Sequence, residues 1–460
     1  MTPIAGKPVV TAAEMRAAEQ HAITAGTSVE TLMDRAGKGV AAAVHRLAAG
    51  APVLVLCGPG NNGGDGYVAA AALAVAGHFV RVAASAEPTS DAAKAARAGW
   101  SGPVESLDDA KPAPVLVDAL FGTGLSCGLD AGLSARLCAL AGRARLAIAV
   151  DLPSGVATDD GAVLSRVPDF DLTLALGAVK PAHLLQPAAR HCGAVKLIEI
   201  GVAADSAAQV LARPSLPAPG PDSHKYNRGM VAVIGGAMRG AALLASTAAM
   251  RAGAGYVALL DGGGGGPDAL VHRALADQSL DDERIGALLV GPGLGRAAEA
   301  AAKLDKALAS DRPLVIDGDA LHLLKDRLAV LRSRAAPAIL TPHQGEFAAL
   351  FGEGEGSKLD RARAAAERAN AIVVYKGPDT TIAAPDGRAR LADDADDWLS
   401  TAGTGDVLAG TIAATLAAWL EPLEAAAAGV WLHGEAARLL GAAFIADDLA
   451  NAMTAVRAAL

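Results

Sequence analysis

Short apolar runs, rich in β-branched residues, recur along this chain. Each ends in a turn of glycines or acids. Pro52–Cys57 runs into Gly58–Tyr67, Val115–Val117 ends in Asp118 ahead of Gly122-Thr123-Gly124, and Leu146–Val150 ends in Asp151. Runs of that length read as buried parallel strands. Alanine-rich stretches between them read as helices, and Thr11-Ala12-Ala13-Glu14 and Ser28 supply helix-start signals near the amino terminus. Strand, turn and helix repeated in this way predict an α/β fold with helices on both faces of a parallel sheet. Ligands in such sheets sit at the carboxyl ends of the strands. Asn62, Asp118, Asp151 and Ser154 therefore converge on one edge by topology.

The stretch Gly58–Gly66 has five glycines in nine positions, around Asn61, Asn62 and Asp65. That many glycines are costly to order, and they suit a backbone that approaches a diphosphate closely. The spacing differs from the G-x-G-x-x-G fingerprint, and the next helix is expected from about Tyr67 to Ala76.

The second half repeats the scheme. Ala287–Val290 leads into Gly291–Gly295, Pro313–Ile316 into Asp317 and Asp319, and Ala338–Leu340 into Thr341-Pro342-His343. Ala371–Tyr375 leads into Lys376-Gly377-Pro378-Asp379-Thr380, a turn that offers a cation and free amides to a phosphate. Thr401-Ala402-Gly403-Thr404-Gly405-Asp406 then precedes an apolar run, Val407 to Leu420, readable only as a buried helix. Amides at a helix start favour an oxyanion. Asp406 stands where a carboxylate can take a proton from a hydroxyl that attacks a phosphoryl group. The plainer alternative is that Thr404 or Asp406 caps the helix.

Arg213–Pro221 holds four prolines and reads as a stiff linker over 213–222, between domains spanning 1–212 and 223–460. The net charge of -9 leaves no basic field for nucleic acid or anionic lipid. Four cysteines without CxxC spacing read as reduced thiols of a cytoplasmic protein. The amino terminus has no secretory pattern, and no window reaches the ~18 clean apolar residues of a membrane span. A homo-oligomer is expected.

Cys57–Ala70, Asp118–Gly128 and Asp151–Gly155 together resemble the YjeF N-terminal domain, the NAD(P)H-hydrate epimerase family. His224–Gly229, Gly291–Gly295, Thr341–Glu346, Lys376–Thr380 and Ala402–Gly410 resemble the YjeF C-terminal domain, the ADP- or ATP-dependent NAD(P)H-hydrate dehydratase. The resemblance implies a Rossmann-like three-layer αβα sandwich followed by a ribokinase-like αβα domain. In the first, Asn61, Asn62, Gly63, Gly64, Asp65 and the loop Gly122, Thr123, Gly124, Leu125, Ser126, Cys127, Gly128 would hold the hydrated nucleotide. Asn62, Asp118 and Ser154 would hold K⁺. In the second, Lys376, Gly377, Pro378, Asp379, Thr380 and Gly405 would hold ADP or ATP, with Mg²⁺. Ala254, Gly295, His343 and Asp406 would face the hydrated cofactor.

The implied chemistry is repair of NADH or NADPH hydrated at C6 of the nicotinamide ring. Asp406 would be the base of a phosphorylation that precedes dehydration. Asp151 is expected to protonate the departing hydroxyl and to stabilise the ring cation during epimerisation. Two rival readings stand beside this one: a ribokinase-type small-molecule kinase, and a first domain that senses nucleotide without catalysis.

Overall fold

Thr11 Oγ1 accepts from the Glu14 amide, and the Thr11 amide donates back to the Glu14 carboxylate at 2.6 Å. This reciprocal cap starts α1 (Ala12–Thr24), and Ser28 caps α2 (Val29–Ala48). Both helices belong to the first of two units, Met1–Val210 and Leu211–Leu460, of the computed structural model, which describes every residue except Asp277, Asp394, Ala395 and Trp419.

The first unit is built on β1 (Val53–Cys57), β2 (Val80–Ala84), β3 (Val104–Ser106), β4 (Val115–Ala119), β5 (Leu146–Val150), β6 (Leu172–Leu176) and β7 (Ala194–Ile198). They pair in parallel in the order β3-β2-β1-β4-β5-β6-β7. A short β8 (Ala208–Val210) runs beside Lys7–Val9. Side chains alternate across the sheet. Val53, Val55 and Cys57 join the core under α1 and α2, while Leu54 and Leu56 pack with Leu137 and Leu140 on the other face. The strand order reverses between β1 and β4, so a crevice opens where Gly58 and Leu120 leave the sheet.

The helix after β1 departs from the sequence expectation. It is α3 (Asn61–Val75), so the Asn-Gly segment forms its first turns. The reason is packing. A Cβ on Gly63 would lie 1.9 Å from the Gly58 carbonyl oxygen, and one on Gly64 would lie 2.5 Å from Met33 Cε. These glycines bring the helix start against β1 and α2. Gly63→Ala is therefore expected to destabilise the first unit by at least ~1–3 kcal/mol. Gly60→Ala, with open space around its Cβ, should stay within about 0.5 kcal/mol. Denaturant titration of both variants checks this.

In the second unit β9 (Met230–Ile234), β10 (Tyr256–Leu260), β11 (Val271–Arg273), β12 (Ile285–Val290), β13 (Leu314–Ile316), β14 (Ala338–Leu340) and β15 (Ile372–Tyr375) are parallel. A hairpin adds β16 (Thr381–Ala383) and β17 (Ala389–Leu391) antiparallel. The order is β11-β10-β9-β12-β13-β14-β15-β16-β17, again with a reversal, between β9 and β12. Core clusters cover both faces, so this unit too is three-layered.

The apolar run forms a helix over Thr404–Ala417 that is buried from Val407 to Ala417. It ends before the expected Leu420, and Trp419 lies outside the described residues. Small residues let it pack closely: a Cβ on Gly410 would lie 2.0 Å from the Ala245 carbonyl oxygen. The proline-rich stretch has no regular secondary structure and falls within the second unit. Leu216 joins a core cluster there, and Arg457 donates to the Pro217 carbonyl at 2.7 Å. No described helix is long and apolar enough to cross a membrane.

Candidate active sites

A cavity of about 560 Å³ opens at the β1/β4 switch point. Its wall holds Asn61, Asn62 and Asp65 from α3, Gly122 to Leu125 from the loop after β4, and Asp151 from the end of β5. Arg16 and Glu19 from α1 and Lys180 complete it. Gly63 and Gly64 face protein, as their close contacts show. Ser126, Cys127 and Gly128 lie outside the wall; Cys127 is exposed, and a Cβ on Gly128 would lie 2.4 Å from the Leu164 carbonyl oxygen.

Asp151 is the most constrained group in the cavity. It is 5% exposed and has a φ of 65°, in the left-handed region that a non-glycine residue rarely adopts. Thr123 donates to Oδ2 from both its amide and its hydroxyl, at 2.7 Å each. Lys180 Nζ donates to Oδ1 at 2.5 Å and to the Leu176 carbonyl at 2.6 Å. His183 Nδ1 accepts from the Lys180 amide, so its Nε2–H donates to the Asp151 carbonyl at 2.6 Å. Burial works to raise the Asp151 pKa, but the Lys180 ammonium and the hydrogen bonds overcome it and hold the group down at about 2.

This corrects the expectation that Asp151 donates a proton. At neutral pH it is a carboxylate locked to an ammonium. Lys180 was missed in the sequence because a lone lysine in an apolar stretch carries no motif. Its only available signal was its position just past the carboxyl end of β6.

Asp118 is fully buried. Its Oδ1 accepts from Leu120 N and Ser154 Oγ, and its Oδ2 from Ser154 N. Burial pushes its pKa up to about 6, against those hydrogen bonds. No described lysine, arginine or histidine pairs with it. Asn62 Nδ2 is buried without a partner, while its Oδ1 faces the Gly122 backbone.

In the second unit a cavity of about 580 Å³ lies at the carboxyl end of the sheet. Lys376, Gly377, Pro378, Thr380, Gly405 and His343 share its wall with apolar side chains such as Leu399, Leu408 and Trp431. Gly403, with a φ of 90°, turns the chain into the helix, and no side chain caps that helix start. Thr404 Oγ1 donates back to the Leu399 and Thr401 carbonyls, and the buried His433 donates from Nε2 to the Thr404 carbonyl at 2.9 Å. The plainer capping reading of Thr404 therefore fails.

Lys376 is not a free cation. Its Nζ meets Asp317 Oδ1 at 2.9 Å and Glu346 Oε2 at 3.8 Å. Asp406 is half-buried beside this group, next to Gly405 of the wall but not itself part of it. Burial first, then repulsion from Asp317, raises its pKa to about 6, with Lys376 opposing. Asp317, which also accepts from Thr341 Oγ1 at 2.6 Å, was visible in the sequence as a strand-end acid but had been given no role.

Other expected residues are placed differently. Asp379 is not part of the wall and pairs with Lys358 at 2.5 Å. His343 lines the cavity and also caps the next helix, its Nδ1 accepting from the Gly345 and Glu346 amides. Gly295 donates its amide to Asp319 at 2.9 Å, within the acidic group that acts on Asp406. Ala254 precedes β10 at the amino end of the sheet and packs on the core there. The structure does not bring it to the other three.

The family profile described as YjeF-related protein N-terminus matches residues 29–182, and that described as NAD(P)H-hydrate dehydratase matches residues 231–456. The bifunctional NAD(P)H-hydrate repair enzyme of Salinibacter ruber is 36% identical, covering 98% of this chain and 96% of its own length. The enzyme of the same name from Escherichia coli is 33% identical over 85% of this chain and 81% of its own length. Among solved structures, the ADP/ATP-dependent NAD(P)H-hydrate dehydratase of Bacillus subtilis covers 52% of this chain and 93% of its own, at 29% identity and a TM-score of 0.45. With relatives of this identity aligned over nearly its whole length, the chain belongs to the family of bifunctional NAD(P)H-hydrate repair enzymes, its first half of epimerase type and its second a dehydratase.

Proposed function

We propose that the two cavities are the two active sites and that each runs on one of the aspartates described above. The observation that carries this is the opposite treatment of Asp151 and Asp406. One is held ionised at about 2 by Lys180, and the other is raised to about 6 among acids. Groups separated in this way take different proton roles.

In the second cavity an adenine nucleotide would lay its base among Leu399, Leu408 and Trp431 and its phosphates against Lys376 and the amides at Gly405. Asp406, as carboxylate, takes the proton of the C6 hydroxyl as the hydroxyl oxygen attacks the terminal phosphoryl group, and the phosphoanhydride bond breaks with its electron pair leaving on the shortened nucleotide. The C6–O bond then breaks with its electron pair leaving on phosphate, and loss of the C5 proton restores the ring double bond. Mg²⁺ bound with the nucleotide would neutralise phosphoryl charge, and the Asp317 and Asp406 carboxylates could help to hold it. Because Asp406 must be deprotonated, kcat/KM for dehydration is expected to rise with pH through about 6 and to level above it. A pH–rate profile measured with hydrated NADPH and ADP or ATP tests this, and a flat profile between pH 5 and 8 removes Asp406 as base.

In the first cavity the Asp151 carboxylate stabilises the cation left at C6 and N1 of the ring when the hydroxyl departs. Thr123 and Lys180 orient it. The oxygens of Asn62, Asp118 and Ser154 fit K⁺. The set is all oxygen, and the buried Asp118 carboxylate has no cation beside it among the described residues. K⁺ there would neutralise Asp118 and brace the Phe121–Gly122 backbone.

A further inference from the structure

Asp65 stands on α3 in the wall of the first cavity. It is 8% exposed, and its carboxyl has no hydrogen-bond or ion-pair partner among the described residues. Two of its neighbours in the wall are already paired. Asn61 Oδ1 accepts from Ser90, and Asp151 is bound by Thr123 and Lys180. A buried carboxylate left unpaired would be very costly, so a side chain in this position keeps its proton. The groups that act on it agree. Burial, then Asp151, then Glu19 from α1 raise its pKa well above the usual carboxylate range, and only Lys180 opposes them.

Epimerisation needs a proton donor for the departing hydroxyl. Of the acids on this wall Glu19 is only half-buried whereas Asp65 is enclosed, and neither Asp151 nor Lys180 supplies the proton. Asp151 is ionised. Lys180 gives hydrogen bonds to Asp151 Oδ1 and the Leu176 carbonyl, and losing its proton would strand the Asp151 charge. We propose that Asp65 is the general acid and base of the epimerase site, a proton-bearing carboxyl aimed into the cavity that Asp151 shares. The C6–O bond breaks with its electron pair on oxygen, the Asp65 proton completes a water molecule, and the ring carries the positive charge against Asp151. Water then adds to either face of C6, and the proton it loses returns to the Asp65 carboxylate. The inference rests on the reading of this cavity as the epimerase site.

The test uses the full chain without nucleotide and follows interconversion of the C6 epimers of hydrated NADPH by chromatography, for Asp65→Asn, Asp65→Ala and Asp151→Asn. Asp65→Asn is expected to lower kcat by roughly 10²–10⁴-fold and to change KM only a few-fold. It should fold as stably as the wild type, since it removes no pairing. Asp65→Ala should regain turnover on addition of formic acid, increasingly as pH falls, a response that a structural residue would not give. Normal kcat in Asp65→Asn with loss in Asp151→Asn overturns the role of Asp65 and leaves the site standing. Loss in Asp65→Ala without rescue by formic acid overturns it as well. Normal turnover in both asparagine variants removes the site itself.

Discussion

Replacing Asp406 with asparagine lowers nucleotide-dependent dehydration by roughly 10²–10⁴-fold and leaves epimer interconversion at its wild-type rate. Asparagine keeps the shape of the group at the start of the Thr404–Ala417 helix but cannot accept the hydroxyl proton. It also removes a negative charge that Asp317 repels, so stability of the second unit should not fall. The loss therefore reports chemistry. Absorbance at the reduced-nicotinamide band, with hydrated NADPH and ADP or ATP, gives the rate. Chromatography of the two epimers gives the control.

Lys180→Met carries the largest expected structural effect. Removing one partner of a buried ion pair leaves the other charge uncompensated, at a cost of about 3–5 kcal/mol. Asp151 would then keep only its hydrogen bonds to Thr123 and Leu176. The pH dependence has a definite sign. In the wild type Asp151 titrates at about 2, below its ordinary value. Its pairing therefore adds stability above the ordinary carboxylate range, and that contribution is lost as pH falls towards about 2. In the variant, burial without the ammonium moves Asp151 upward, and acidification relieves the cost by protonating it. The stability gap between variant and wild type should narrow as pH drops from 7 to 4. Hydrogen exchange of the β4–β6 amides, read at several pH values, measures the gap locally.

Much of this architecture was legible in the sequence because parallel strands buried on both faces are written as continuous apolar runs. β1, β4, β5 and β15 were found from that signal alone, as were the caps at Thr11 and Ser28. The start of α3 was not. Five glycines read as a loop when only local preference is weighed, and the reason for Gly63 and Gly64 lies in Gly58 and Met33, which touch them in the folded chain. The sites divide in the same way. Asp151 and Asp406 were legible because topology places strand ends and a helix start at a sheet edge. Lys180 and Asp317 were not assigned, since each acquires its role only by closing on a partner 29 or 59 residues away, Asp151 in one case and Lys376 in the other. The protonation state of Asp151 was misjudged for the same reason. Without Lys180 in view, a buried acid at a strand end looks like a proton donor.

The most direct measurement supplies an equilibrated mixture of the two C6 epimers of hydrated NADPH, with ADP or ATP, to the Asp151→Asn protein and follows recovery of the reduced-nicotinamide absorbance. The division of labour described here predicts rapid recovery of the one epimer that the second site consumes, then a plateau, whereas the wild type recovers both. Full recovery by Asp151→Asn at the wild-type rate would contradict it.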